Sequence, residues 1–167
     1  MGNAYYIAQA FAVVAIVFYL LTFQFKDRSH ILWCMTGSAL FNSCHHFALE
    51  GYAATFLALV SMSRSIAAYY ITSRWVMSAF VLVAIMLFVW TYQSPIQWLL
   101  LIASLLATWA SFQTRDRVIR LIFMLTTALW LIHNCWIGTV GGIMLEVCFL
   151  GSNIYAYRRF YKPTLDA

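Results

Sequence analysis

Charge is what this chain has least of. Ten basic and five acidic residues serve all 167 positions, too little polar surface to coat a water-soluble globule of that size. Proline is nearly absent: Pro95 and Pro163 are the only two. Four cysteines, Cys34, Cys44, Cys135 and Cys148, form no Cys-x-x-Cys element, which argues against a redox pair or a zinc site. No His-x-x-x-His element or acidic ligand set marks a metal, and no convergent nucleophile marks an enzyme. Haem between histidines of different spans is a minor alternative, and no cofactor is expected. The last apolar run has no lysine to form a Schiff base, which disfavours a light receptor.

What fills the chain instead is apolar sequence, 64% of it. A membrane-spanning helix needs about 20 such residues, and in lipid a helix satisfies its own backbone hydrogen bonds within one segment. The sequence predicts an all-α, polytopic membrane protein of one domain, 1–167, with seven spans at 5–24, 30–49, 52–71, 75–92, 95–113, 118–137 and 139–158. No cationic patch precedes the first run, so it is expected to remain as a span. Met1-Gly2 lacks the downstream Ser or Thr of a myristoylation signal. The cysteines fall inside spans and are expected to be free, packing as small polarizable side chains.

The basic residues lie on one side. Lys26, Arg28, Arg74, Arg115, Arg117, Arg120, Arg158, Arg159 and Lys162 all fall at the same ends of the spans, and the opposite turns at Glu50, Ser94 and Gly138 have none. Positive charge stays cytoplasmic, so the N-terminus is expected outside and the C-terminus inside. The net charge of +5 then reports membrane orientation. Basic residues confined to short turns argue against nucleic-acid binding. The bilayer is the expected partner, and a homo-oligomer is left open.

Two stretches match. Phe23-Gln24-Phe25-Lys26-Asp27-Arg28 recurs as Phe112-Gln113-Thr114-Arg115-Asp116-Arg117, and eight of nineteen positions between 23–41 and 112–130 are identical. Farther on the offset falls from 89 to 87, pairing His46 with His133, Gly51 with Gly138, Ser65 with Ser152 and Tyr70 with Tyr157. The pattern predicts a three-helix repeat at 5–71, a linker helix at 75–92 and a second repeat at 95–158. Three spans invert the chain and a fourth restores it, so the repeats should be parallel. Transporters built from parallel repeats place substrate near the midplane where the halves meet.

The repeated motif, His45-His46-Phe47 leading into Gly51, and Arg64 in the third span together resemble the YgjV family of uncharacterised bacterial inner-membrane proteins, over most of the chain. In plan, the three-one-three arrangement with a Gln-containing basic motif also resembles the SWEET and PQ-loop transporters. Gln24 and Gln113 follow Phe where PQ-loop proteins have Pro, so a first-helix proline hinge is missing. In SWEET-like units a Trp in the second helix and an Asn about sixteen residues on face the sugar. Trp130 stands at the first position and Glu146 at the second, so only Trp130 carries over by identity.

Several polar residues lie where lipid-facing positions would tolerate none. Glu146 sits about 10 Å inside the last span at about 1.5 Å per residue, and a carboxylate at that depth points to a partner or to water. Arg64, deep in the third span, either snorkels toward the cytoplasm, the favoured reading, or pairs with Glu146 as its buried charge partner. Asn42, His45 and His46 share one helix face, and Trp130, His133 and Asn134 another. An aromatic face with imidazole and amide groups suits a polar uncharged solute such as a sugar, or a proton relay. The same groups could simply hydrogen-bond between helices. The repeated Gln24, Asp27, Arg28 and Gln113, Asp116, Arg117 are expected to hold helix ends and an interface between the halves, or to form an inner gate.

These residues favour a small-solute transporter or facilitator without enzymatic activity. The alternative from another class is a non-transporting sensor or assembly scaffold whose polar cluster is structural.

Overall fold

In the computed structural model, which describes residues 3–22 and 24–161, the described residues form helices joined by short turns. The order is α1 (Asn3–Leu21), α2 (Arg28–Ala48), α3 (Tyr52–Tyr70), α4 (Arg74–Thr91), a 3-10 turn (Pro95–Gln97) running into α5 (Trp98–Ser111), α6 (Asp116–Ile137) and α7 (Val140–Tyr161). Each lies within about three residues of a predicted span. Phe23, Lys162 and Pro163 lie outside the described residues.

Four helical segments, Ala4–Leu21, Arg74–Thr91, Asp116–Ile137 and Val140–Tyr161, are long and apolar enough to cross a membrane by length and composition alone. The other helices fall short for different reasons. Pro95–Ser111 is apolar but shorter. Helices α2 and α3 have the length, at 21 and 19 residues, but bury polar side chains such as Ser38, Asn42, His45, His46, Arg64 and Ser65. These lower the hydropathy of the helix without meeting lipid.

The helices close into a ring. Successive packed neighbours are α1, α2, α3, α5, α6 and α7, with α7 returning to α1, while α4 leans on the outside against α3 and α5. Exchanging α1 for α5, α2 for α6 and α3 for α7 maps this order onto itself. Hydrogen bonds fix the directions: Arg28 at the start of α2 reaches carbonyls at the ends of α3 and α5, and Arg120 near the start of α6 reaches those at the end of α1. Helices α1 and α5 therefore run the same way.

Close approach in the ring uses small residues. Ala8, Ala12 and Ala15 are fully buried on α1, and a side chain on Gly141 of α7 would come within 2.9 Å of the Ala12 Cβ. Gly142 has Asn134 against it at the same 2.9 Å. The two turns following α2 and α6 each use a left-handed residue, Glu50 at φ 59° and Gly138 at φ 76°. Toward one end of the ring Trp33, Tyr69, Tyr70, Trp75 and Trp109 are exposed, and toward the other Tyr52, Trp90, Trp98 and Trp136. Such paired aromatic belts suit the two membrane interfaces.

Candidate functional site

A cavity of about 30 Å³ inside the ring is lined by Tyr19, Ala39, Asn42, Ala58, Ser61 and Trp130. It is water-sized. Four helices meet there: α1 brings Tyr19, α2 Ala39 and Asn42, α3 Ala58 and Ser61, and α6 Trp130. The Trp130 ring stands 5.7 Å from that of His46 and 6.2 Å from that of His133. The two predicted helix faces thus meet, with Trp130 between imidazoles from opposite halves.

What sets this cluster apart is unspent polarity. Among the described residues, Asn42 Oδ1, His46 Nε2, both ring nitrogens of His133 and both amide atoms of Asn134 are buried without a well-formed hydrogen bond, His133 and Asn134 lying close enough to interact with each other. Buried polar atoms are nearly always paired, and leaving them unpaired in an apolar surround is expensive. Packing explains part of the arrangement. Asn134 backs onto Gly142, where any side chain would collide with its amide.

His45, expected in the lining, has a different role. One ring nitrogen lies 2.9 Å from the Ala8 carbonyl and the other 3.2 Å from the Thr139 hydroxyl. A carbonyl only accepts, so Nδ1 donates to it and, in a neutral ring, Nε2 accepts from Thr139. His45 therefore ties α2 to α1 and to the turn before α7, closing this end of the ring.

Arg64 corrects both expectations for it. It is 1% exposed, so it does not snorkel, and among the described residues the only ion pair is His30 with Asp27 at 3.7 Å. Its guanidinium donates to Ser61 Oγ at 2.9 Å, Thr108 Oγ1 at 3.1 Å and the Ser104 carbonyl at 3.2 Å. A charge is thus held by neutral oxygens of α3 and α5. Glu146 is equally buried, at 2%, and is not one of the residues lining the cavity. Tyr19, which does line it, stacks on Phe149 of α7 at 4.0 Å, one turn along that helix from Glu146.

At the opposite end the repeated motif holds helix ends together. Arg28 donates to the carbonyls of Ala68 at 2.6 Å, Ser111 at 3.0 Å and Gln113 at 3.0 Å. Its sequence counterpart Arg117 instead donates to the Tyr157 hydroxyl at 2.9 Å. The equivalent task falls to Arg120, one turn later, which reaches the carbonyls of Thr22 and Phe25 and the Asn153 side chain. Each half's second helix therefore grips the end of the other half's first. The glutamines do less than expected: Gln113 returns its amide to the Trp109 carbonyl at 3.4 Å, and Gln24 is exposed. Asp27 meets His30, and Asp116 is half-buried at the start of α6.

The family profile Imp-YgjV, described as bacterial inner membrane protein, matches residues 6–164. The chain belongs to that family. It is 29% identical over 167 residues to the inner membrane protein YgjV of Escherichia coli (strain K12), covering 98% of this chain and 91% of that protein. No solved structure matches it at a significant level. A multi-pass inner-membrane protein is therefore what the helices build, in contact with the lipid bilayer.

Within this Imp-YgjV chain, four participants carried no signal in the sequence. Tyr19 and Ser61 reach the cavity from helices read as plain spans, Thr139 closes the end at His45, and Arg120 performs the task its alignment gave to Arg117. The acceptors of Arg28 and Arg120 are mostly main-chain carbonyls, which every residue has.

Proposed function

We propose that this chain is a transporter or facilitator for a small, neutral, hydrogen-bonding solute, oriented with its N-terminus outside and its C-terminus in the cytoplasm. The observation that carries this is the set of buried polar atoms without well-formed hydrogen bonds around Trp130 in the middle of a ring of helices. In lipid such atoms are retained where they serve a substrate path. Asn42, Ser61, Tyr19 and Trp130 would touch the solute, His46, His133 and Asn134 would supply the surrounding donors and acceptors, and Glu146 would act through Tyr19. The confinement of Lys and Arg to the turns at one end supports the orientation.

The small volume favours a second reading. Ligand pockets usually hold roughly 300–1,000 Å³, so a cavity of about 30 Å³ fits either an occluded carrier, a path for very small solutes, or a scaffold whose polar cluster only orders helices. A sugar requires the ring to open.

Proteoliposomes distinguish these readings. Vesicles holding the protein are exposed to neutral polar solutes rising in size from urea to monosaccharides, and equilibration is followed by light scattering. Wild-type vesicles should equilibrate with at least one solute faster than protein-free vesicles. Asn42→Ala and Glu146→Gln should slow this by about tenfold, the loss of roughly 1.4 kcal/mol, with membrane insertion unchanged. Rates equal to protein-free vesicles for every solute would leave the scaffold reading standing.

A further inference from the structure

The outer helix α4 creates a second site, away from the ring interior. It leans on α3 and α5 through Val76, Met77 and Phe80, which pack on Leu32, Ala68 and Phe112. At the end where α4 begins and α5 finishes, a groove of about 560 Å³ remains, lined by Thr72, Arg74, Met77, Trp109, Phe112, Gln113 and Thr114. Its lining divides by chemistry. Met77, Trp109 and Phe112 are apolar, while Thr72, Arg74, Gln113 and Thr114 offer hydrogen bonds and a charge.

Positive charge gathers here with little to answer it. Arg74 is the first residue of α4, a helix with no acidic residue in its first turn, so a cation sits on the positive end of the helix dipole, an unfavourable place unless an anion is near. The Arg74 side chain is exposed and has no ion pair or hydrogen bond among the described residues. Arg28 adds charge from behind, its guanidinium 3.0 Å from the Gln113 carbonyl. Of the acids at this end among the described residues, Asp27 meets His30 and Asp116 lies in the field of Arg120, Arg28 and Lys26.

Height decides the class of ligand. Trp75, the next residue, is 86% exposed, and Trp109 on the groove wall is 48% exposed; exposed tryptophans gather at the level of lipid headgroups. We propose that the groove binds an anionic phospholipid, with its phosphate at Arg74, Thr72, Thr114 and the start of α4, and an acyl chain along Met77, Trp109 and Phe112. Basic pockets between membrane helices commonly take such headgroups. The site is independent of any transport through the ring.

Native mass spectrometry of the full chain, released from mixed phosphatidylglycerol and phosphatidylcholine vesicles, tests it. Wild type should retain phosphatidylglycerol over phosphatidylcholine. Arg74→Gln should lower that retention by about fivefold, the worth of one basic side chain at the surface. Arg115→Gln, an exposed cation at the same end but outside the groove, should leave it unchanged. Because Arg74 is exposed, its replacement leaves the helix packing intact. Equal losses in the two variants would mean diffuse charge attraction and overturn the site. So would equal retention of the two lipids. Release of the bound anion by millimolar inorganic phosphate would assign the groove to a free phosphate and overturn the lipid.

Discussion

Arg64 shows how a basic side chain is held inside a membrane protein with no ion pair among the described residues. Three neutral oxygens from α3 and α5 accept from it, spreading the charge over dipoles that are already placed. Removing one partner of such a buried group costs more than the group's net contribution, because the remainder loses its solvation. Arg64→Ala should lower stability by about 2–6 kcal/mol, from three bonds at roughly 0.6–2 kcal/mol each in membrane helices. Arg64→Lys should recover only part of this, since an ammonium lacks the planar fork that reaches two helices at once. Thermal unfolding in detergent reads both. Equal stability of wild type and Arg64→Ala would mean that the bonds to Ser61, Thr108 and Ser104 hold nothing. Residue scale is also where the sequence was least legible. A charge at position 64 was plain, but its acceptors, two hydroxyls and a carbonyl on α3 and α5, look like any Ser and Thr in an oily helix.

Elements were far easier to read, because apolar runs and the turns that break them state where a membrane helix starts and stops. The residues facing inward on α2 and α6 were legible for the same reason: Asn42 with His46, and Trp130 with His133 and Asn134, are spaced at three and four. What spacing could not show is how near the helices come. Gly141 and Ala12 set that distance between α7 and α1, and with it the position of Tyr19 over Phe149. Gly141→Val would place new atoms within 2.9 Å of Ala12 and closer still to the Gln9 side chain. Gln9 can swing aside, but Ala12 belongs to the body of α1 and cannot. A cost of about 1–3 kcal/mol is expected from this overpacking. Gly151→Val, in the same helix with open space around it, should cost less than about 1 kcal/mol, the scale of ordinary helix propensities. Melting temperatures of the two variants, measured side by side, check this; equal losses would mean that the α1–α7 seam is not tight.

On the scale of the whole molecule the two ends of the ring are closed by different means. One end is closed by His45, bonded to Ala8 and Thr139, and the other by two arginines that cross between halves. Arg28 and Arg120 perform equivalent tasks from non-equivalent positions, so the exchange of halves that maps the helix packing onto itself also maps the closure, although alignment pairs Arg28 with Arg117. Hydrogen bonds to a charged donor contribute about 1.5–3 kcal/mol each when one partner is removed. Losing either arginine should therefore bias the ring toward opening at that end, and losing both should bias it further. In a variant with Cys34, Cys44, Cys135 and Cys148 replaced, Ser111→Cys places one thiol beside this closure, at a position that is fully buried. Arg28→Ala with Arg120→Ala should raise its labelling by a membrane-impermeant maleimide by at least about tenfold, the effect of a shift of roughly 1.4 kcal/mol or more in a two-state equilibrium. In the proposed orientation the increase appears in inside-out vesicles and not in intact cells. Labelling that stays slow in both preparations would show that the arginines hold packing alone, and labelling from the outer side would reverse the orientation of the chain.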